Sequence, residues 1–570
     1  MKKFQQLNYQ RPDFKLFEAN FNHALNEFEY ASSAGEQTLA FKMINEIRSH
    51  FETMMNIVSV KHSINIADKF FEVEQEFFDE HEPAYRGLVH KFYEALICAK
   101  YRDSLQEIYG KQLFTIAELT IKTFHESILE YLQKENQLCT DYQKIIASAK
   151  IKYNGKVMNL SELNAIKLST DRNIRREVSY LVDGYYEKHQ DEFNNIYDQL
   201  VKTRHTIALK LGYKNFVQLG YARMLRSDYD SKMVANYRDK IFSEIVPIVN
   251  DLKIEQQKRL GLCDFYSYDE AMDFADGNPK PLGNAAWIVE QAKTMFKELN
   301  KEVGDFFEFM TKYELLDLET KPNKAGGGYC TFFSELKAPF IFSNFNGTSH
   351  DIDVLTHESG HAFQGYSSRY WNIEEYYFPT YEACEIHSMS MEFLCWPWMK
   401  LFFGEDANRY QNAHMQHSIS FLPYGVSVDE FQEWVYENPN ASITERNNQW
   451  RLIEKKYLPY RKYDNNAYLE NGGFWHRQSH IFKTPFYYID YTLAQVCAFQ
   501  FWKRSNANRV DAMKDYIRLC KAGGSKSFLE LVALANLKSP FEKGTVEEIT
   551  AEINDWLQQN KIRNKVTAEV

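Results

Sequence analysis

Two histidines four residues apart, His357 and His361, sit in VLTHESGHAFQGY (354–366), with Glu358 directly after the first. Residues four apart on a helix stack on one face, so both imidazoles can point at one atom. Neutral imidazole is a good zinc ligand, and a catalytic zinc takes three protein ligands and leaves a position for water. A carboxylate beside the first ligand can reach that water and take its proton, which gives Glu358 the part of general base. The competing reading is a polar helix face that binds nothing.

The third ligand separates the two readings. An extended three-histidine pattern needs Gly and His three and six residues after the second histidine. Those positions hold Gln364 and Ser367, so that pattern is excluded. The usual remaining choice is a glutamate from a following helix. FPTYEACEIHSMSMEFLCW (378–396) offers Glu382, Glu385 and Glu392 at intervals of three and seven, along one helical stripe. Carboxylates among Met391, Phe393, Leu394 and Trp396 are costly to bury unless positive charge compensates. A metal with its imidazoles would compensate; otherwise the stripe is a solvated face.

These residues need a scaffold, and proline placement predicts its type. None of the 14 prolines lies between Pro83 and Pro247. Apolar residues at spacings of three and four fill the gap, which reads as successive amphipathic helices, for example over 51–78 and 115–138. KIKYNGKVMNLSEL (150–163) carries Asn154-Gly155 between alternating residues, a hairpin signal, with Ser161 as a helix cap after it. Strand-like residues recur at 326–346, just before the histidines. The fold expected is mostly α, with one small sheet near the middle of the chain.

Composition narrows the partners. The chain has 570 residues, 44% apolar and 25% charged, with 37 Tyr and 42 Phe. This is an ordinary globular balance with ring-rich cores. A net charge of −11 argues against nucleic acid and anionic membrane as partners. The start, MKKFQQLNYQRPDF, lacks the apolar segment of a secretory signal, and no long uncharged apolar run occurs. Eight scattered cysteines without a CxxC pair suit reduced thiols in a cytoplasm.

HESGH followed 24 residues later by EIHSMSME resembles the thimet oligopeptidase and oligoendopeptidase F family of zinc metallopeptidases, in its oligoendopeptidase F or Pz-peptidase-like branch. The resemblance implies one Zn2+ per chain, held by His357, His361 and Glu385. HIFKTPFYYIDYTLAQ (480–495) looks like the family's histidine-plus-tyrosine segment, and FLPYGVSVDEFQEWVYENP (421–439) resembles the oligoendopeptidase F branch. The first implies Tyr488 and Tyr491 as oxyanion donors, with His480 as a further donor. Its spacing from His480 to the tyrosines is one residue shorter than in the thimet branch.

The fold so implied is a prolate, two-lobed helical metallopeptidase with a deep central channel and a small β-sheet near the zinc site. An N-terminal helical domain spans 1–200 and a catalytic domain 201–570. The implied activity is cleavage of internal bonds in short unfolded oligopeptides. PFIFSNF (339–345) is the expected strand for binding an extended peptide at its edge. The glycines at 326–328 and NGGF (471–474) read either as close-approach and flap segments or as ordinary turns. Acceptors for the second nitrogens of the ligating histidines are sought in Asp353 and Glu392. Alternatives are a dipeptidyl carboxypeptidase using the same site, a zinc hydrolase of non-peptide amides, and a non-catalytic peptide binder, which the intact Glu358 disfavours.

Overall fold

The computed structural model describes residues 1–562. It is 71% helical with only small sheets, as the helical spacing predicts. No helix among the described residues is long and apolar enough to cross a membrane.

Both stretches read as single helices are broken. Residues 51–78 divide between helices Ala34–Ile64 and Lys69–Ile97. The second starts where the Asp68 side chain accepts from the N–H groups of Phe70 and Phe71 (3.0 and 3.3 Å), satisfying two donors that a helix start leaves open. Residues 115–138 likewise divide between helices Gln112–Lys122 and Leu129–Ala147. Apolar spacing runs on through both breaks; a side-chain cap marks the first, at Asp68, whereas the helix Leu129–Ala147 starts without one.

The hairpin forms as expected, with strands β1 (Ile151–Tyr153) and β2 (Lys156–Met158) and positive φ at Asn154 and Gly155. Its following helix, Leu160–Ile166, is capped by Asn159 rather than Ser161: Asn159 and Glu162 form a reciprocal capping box. A second sheet contains β3 (Leu316–Glu319), β4 (Tyr329–Phe333) and β5 (Ala338–Phe345), in the order β3-β5-β4. β3 runs parallel to β5, and β4 runs antiparallel to it. The sequence reading missed β3.

Three helices form the heart of the molecule: a motif helix (His350–Ser368), a glutamate helix (Tyr381–Leu394) and a tyrosine helix (Tyr488–Ala522), all in mutual contact. Asp351 locks β5 to the motif helix by accepting from the N–H groups of Asn346 and Gly347 (2.9 and 2.8 Å). A Cβ at Gly360 would lie 2.6 Å from the backbone of both His387 and Ser388. The motif and glutamate helices therefore touch backbone to backbone at the centre of HESGH.

Candidate active site

The motif helix presents His357 and His361 on one face, and the glutamate helix brings Glu385 against them. Glu385 Oε2 lies 3.3 Å from His357 Nε2 and 3.5 Å from His361 Nε2. Ligand atoms about 2.0–2.1 Å from a tetrahedral metal are separated by about 3.3–3.4 Å, so the spacing suits one ion held by all three groups. Glu385 is almost fully buried, whereas the imidazoles keep 23% and 15% of their surface. The open side of the trio is thus the histidine side.

Two of the three groups, Glu385 and His357, are held from behind. Ser388 Oγ donates to Glu385 Oε2 (3.0 Å), and Tyr487 Oη donates to Glu385 Oε1 (2.7 Å). His357 Nδ1 meets Glu392 Oε1 at 2.7 Å, as the sequence reading proposed for Glu392. Glu392 Oε2 then meets His414 Nε2 at 2.8 Å, and Trp396 Nε1 donates to His414 Nδ1 at 3.2 Å. Because His414 Nδ1 accepts, its Nε2 carries the proton given to Glu392. Asp353 takes no part in holding His357: it accepts from Tyr410 Oη at 2.6 Å. One turn along the helix puts its carboxylate beside the long helix Ala407–Glu437 instead.

The charges follow from this packing. Burial pushes the Glu392 carboxyl up, but the hydrogen bonds of His357 and His414 outweigh it and hold it down at about 2. Burial likewise opposes ionisation of Glu385, and the two imidazoles overcome it, so this carboxyl lies well below its usual range. Glu358 is buried beside them, and burial raises its pKa against the opposing pull of both histidines. That is the direction that makes a carboxylate a better proton acceptor.

Glu382, the first acid of the stripe, is also buried but turns away. It faces Asp490 and Arg226, and burial followed by the Asp490 charge raises its pKa. The stripe is therefore no solvated face, and its acids serve two different clusters.

His480, Tyr488 and Tyr491 converge next to the trio. The His480 ring centroid lies 4.9 Å from that of Tyr488 and 5.9 Å from that of Tyr491. Burial, with Lys483 adding to it, pushes His480 down to about 4, so the ring is neutral near pH 7. Burial raises both phenols, Tyr491 further through Glu385, so they stay protonated. The sequence reading missed Tyr487 and His414. Tyr487 adjoins Tyr488 in the quoted segment, and only the register of the helix start shows which ring meets Glu385. His414 comes from another helix, with no spacing to announce it.

The edge expected at 339–345 is not free, because β5 is central and paired on both sides. The outer edge near the motif helix is that of β4, where Phe332 O already accepts from Asn56 Nδ2 at 3.0 Å. Ile341, opposite Cys330, donates its N–H to Leu315 O at 3.0 Å on the β3 side. In the alternating antiparallel pattern, the Cys330 N–H and C=O therefore point out of the sheet. Burial and then the Glu358 charge raise the Cys330 thiol, which sets this edge beside Glu358. Gly326 and Gly327 lead into β4 with nothing within 4 Å of a Cβ, an ordinary loop in the protein alone. NGGF is a packed turn rather than a loose flap: a Cβ at Gly472 would sit 2.0 Å from Asn447 O, and one at Gly473 would sit 2.2 Å from the Tyr468 ring.

Residues 4–124 match the family described as "Peptidase M3 N-terminal domain", and residues 165–551 match "Peptidase family M3". A solved structure described as "PZ peptidase A with inhibitor 2" is 53% identical, with a TM-score of 0.94, covering 98% of this chain and 99% of that one. An oligoendopeptidase F homolog from Borreliella burgdorferi is 24% identical, covering 72% of this chain and 70% of its own. One from Mycoplasma pneumoniae is 19% identical, covering 88% and 87%.

Proposed function

The chain belongs to peptidase family M3, and on that premise we propose that it is a zinc-dependent endopeptidase of short unfolded peptides. The observation that carries this reading is one Glu385 oxygen at 3.3 and 3.5 Å from two imidazole nitrogens, with Glu358 on the same helix as both histidines. His357, His361 and Glu385 would hold the ion. A zinc ion bound there would polarise the attacking water and the scissile carbonyl.

Glu358 takes the proton of the attacking water and later delivers it to the leaving amine. Tyr488, Tyr491 and His480 donate hydrogen bonds to the oxygen that gains charge, a part suited to phenols and a neutral imidazole at pH 7. The substrate main chain adds to the outer edge of β4 through the Cys330 N–H and C=O, which runs its scissile bond past Glu358. Residues 1–200 and 201–570 form the two sides of a channel that admits one extended strand. The eight free cysteines suit a reducing compartment, the cytoplasm.

The test is one defined ten-residue peptide and one native globular protein, each incubated with and without chelator, with products read by mass spectrometry. Internal cleavage of the peptide that chelator abolishes, with the folded protein intact, is the expected result. A strand advances about 3.3 Å per residue, and a folded domain is far wider than a one-strand channel. Equal cleavage of the folded protein would refute the channel, and products consisting only of C-terminal dipeptides would make the enzyme an exopeptidase.

A further inference from the structure

Gln478 bridges two aromatic groups beside the site. Tyr424 Oη donates to Gln478 Oε1 at 2.7 Å, and Gln478 Nε2 lies 2.8 Å from His480 Nδ1. Gln478 is nearly buried. Its backbone N–H donates to Trp475 O at 3.0 Å, at the start of the short helix Ser479–Lys483 that carries His480. Tyr424 is seated from the other side. A Cβ at neighbouring Gly425 would overlap Thr492 Cγ2 at 2.3 Å, so the long helix lies close against the tyrosine helix here. The Tyr424 ring packs at 5.8 Å from that of Tyr488.

We infer that Tyr424 and Gln478 form a relay that fixes the His480 tautomer, leaving its proton on Nε2 as a donor toward the substrate. An amide N–H needs a lone pair, so His480 Nδ1 carries no hydrogen. Turned end for end, the amide would make the half-buried phenol accept, and among the described residues no other acceptor lies within hydrogen-bond distance of the phenol hydrogen. Burial and Lys483 keep the ring neutral near pH 7, so its one proton resides on Nε2. His480 can then give a hydrogen bond at Nε2 but cannot take a proton there, which leaves the base role to Glu358. Gln478 and Tyr424 are positioning residues. The inference rests on the proposed role of His480 and adds what sets it.

The test uses full-length protein labelled with 15N-histidine, with His480 identified by the resonance lost in His480→Gln. The expected long-range 1H–15N pattern is a protonated Nε2 and an unprotonated, hydrogen-bonded Nδ1. Gln478→Glu should move the proton to Nδ1, since a carboxylate only accepts. Tyr424→Phe and Gln478→Leu should lower kcat about tenfold with KM within about twofold, and neither should lower it further in the His480→Gln background. A wild-type Nδ1–H tautomer, or equal kcat losses in the His480→Gln background, would overturn the relay. An Nε2–H tautomer with wild-type kcat in His480→Gln would instead overturn the donor role while the tautomer assignment stands.

Discussion

Tyr487 Oη donates to Glu385 Oε1 at 2.7 Å, while Oε2 of the same carboxylate faces His357 and His361 at 3.3 and 3.5 Å. The two oxygens have separate duties, one toward the imidazoles and one toward a phenol. That phenol directly precedes the tyrosine helix, so one hydroxyl ties the proposed ligand set to the segment with the proposed oxyanion donors.

Adjacent phenols should therefore fail differently. Tyr487→Phe removes support from a ligand and should weaken metal affinity by roughly 10–100-fold, measured by competition with a chromophoric chelator. Tyr488→Phe and Tyr491→Phe should keep the metal and lower kcat by about 10²-fold with KM little changed. Wild-type affinity in Tyr487→Phe would reduce that hydrogen bond to packing.

Two glutamates should also separate by readout. Glu385→Ala should lose metal and activity together. Glu358→Gln should keep full metal content and lose nearly all turnover, because it removes a base and no ligand. Metal analysis alongside peptide assays decides this. Full occupancy in Glu385→Ala would show that another group completes the site, and Glu382 is a poor substitute because it faces Asp490 and Arg226.

Gly360 should prove intolerant for a steric reason. Its missing Cβ would meet His387 O and Ser388 Cα at 2.6 Å, both backbone atoms that cannot swing aside. Gly360→Ala should cost about 1–3 kcal/mol in denaturant unfolding and lower metal affinity, since it pries the ligand helices apart. Gly326→Ala, with nothing within 4 Å, is the control and should change neither.

Stability should fall as pH rises through neutrality because of the second acidic cluster. Burial and the Asp490 charge push Glu382 up to about 8, and burial pushes Asp490 up to about 7 against the pull of Arg226. The folded chain then holds protons that the unfolded chain, with carboxylates near their usual values, releases above about pH 4. That contribution falls from about pH 4 upward and is fully lost by about 7–8, where the folded carboxyls ionise as well. Glu382→Gln, which cannot ionise, should gain stability over wild type at pH 8 by of order 1 kcal/mol and little at pH 5. Urea denaturation at both values reads it, and an equal change at both would contradict the raised pKa.

Local chemistry in this chain was legible without coordinates. The pairing of His357 with His361 follows from the 3.6-residue turn, the hairpin at Asn154-Gly155 from backbone freedom at two positions, and the helical class from apolar spacing. Membership of a peptidase family was legible too, because HESGH and EIHSMSME keep their types and spacing in one stretch. Tertiary structure decided what depends on groups distant in sequence. It divided the acidic stripe, giving Glu385 and Glu392 to the histidines and Glu382 to Asp490 and Arg226. It sent Asp353 to Tyr410 instead of His357, moved the outer edge from β5 to β4, and brought in His414 and Tyr487. Periodicity tells which side of a helix is buried, but which buried group meets which is set by helix contacts such as Gly360 against Ser388. Those exist only once the chain has closed on itself.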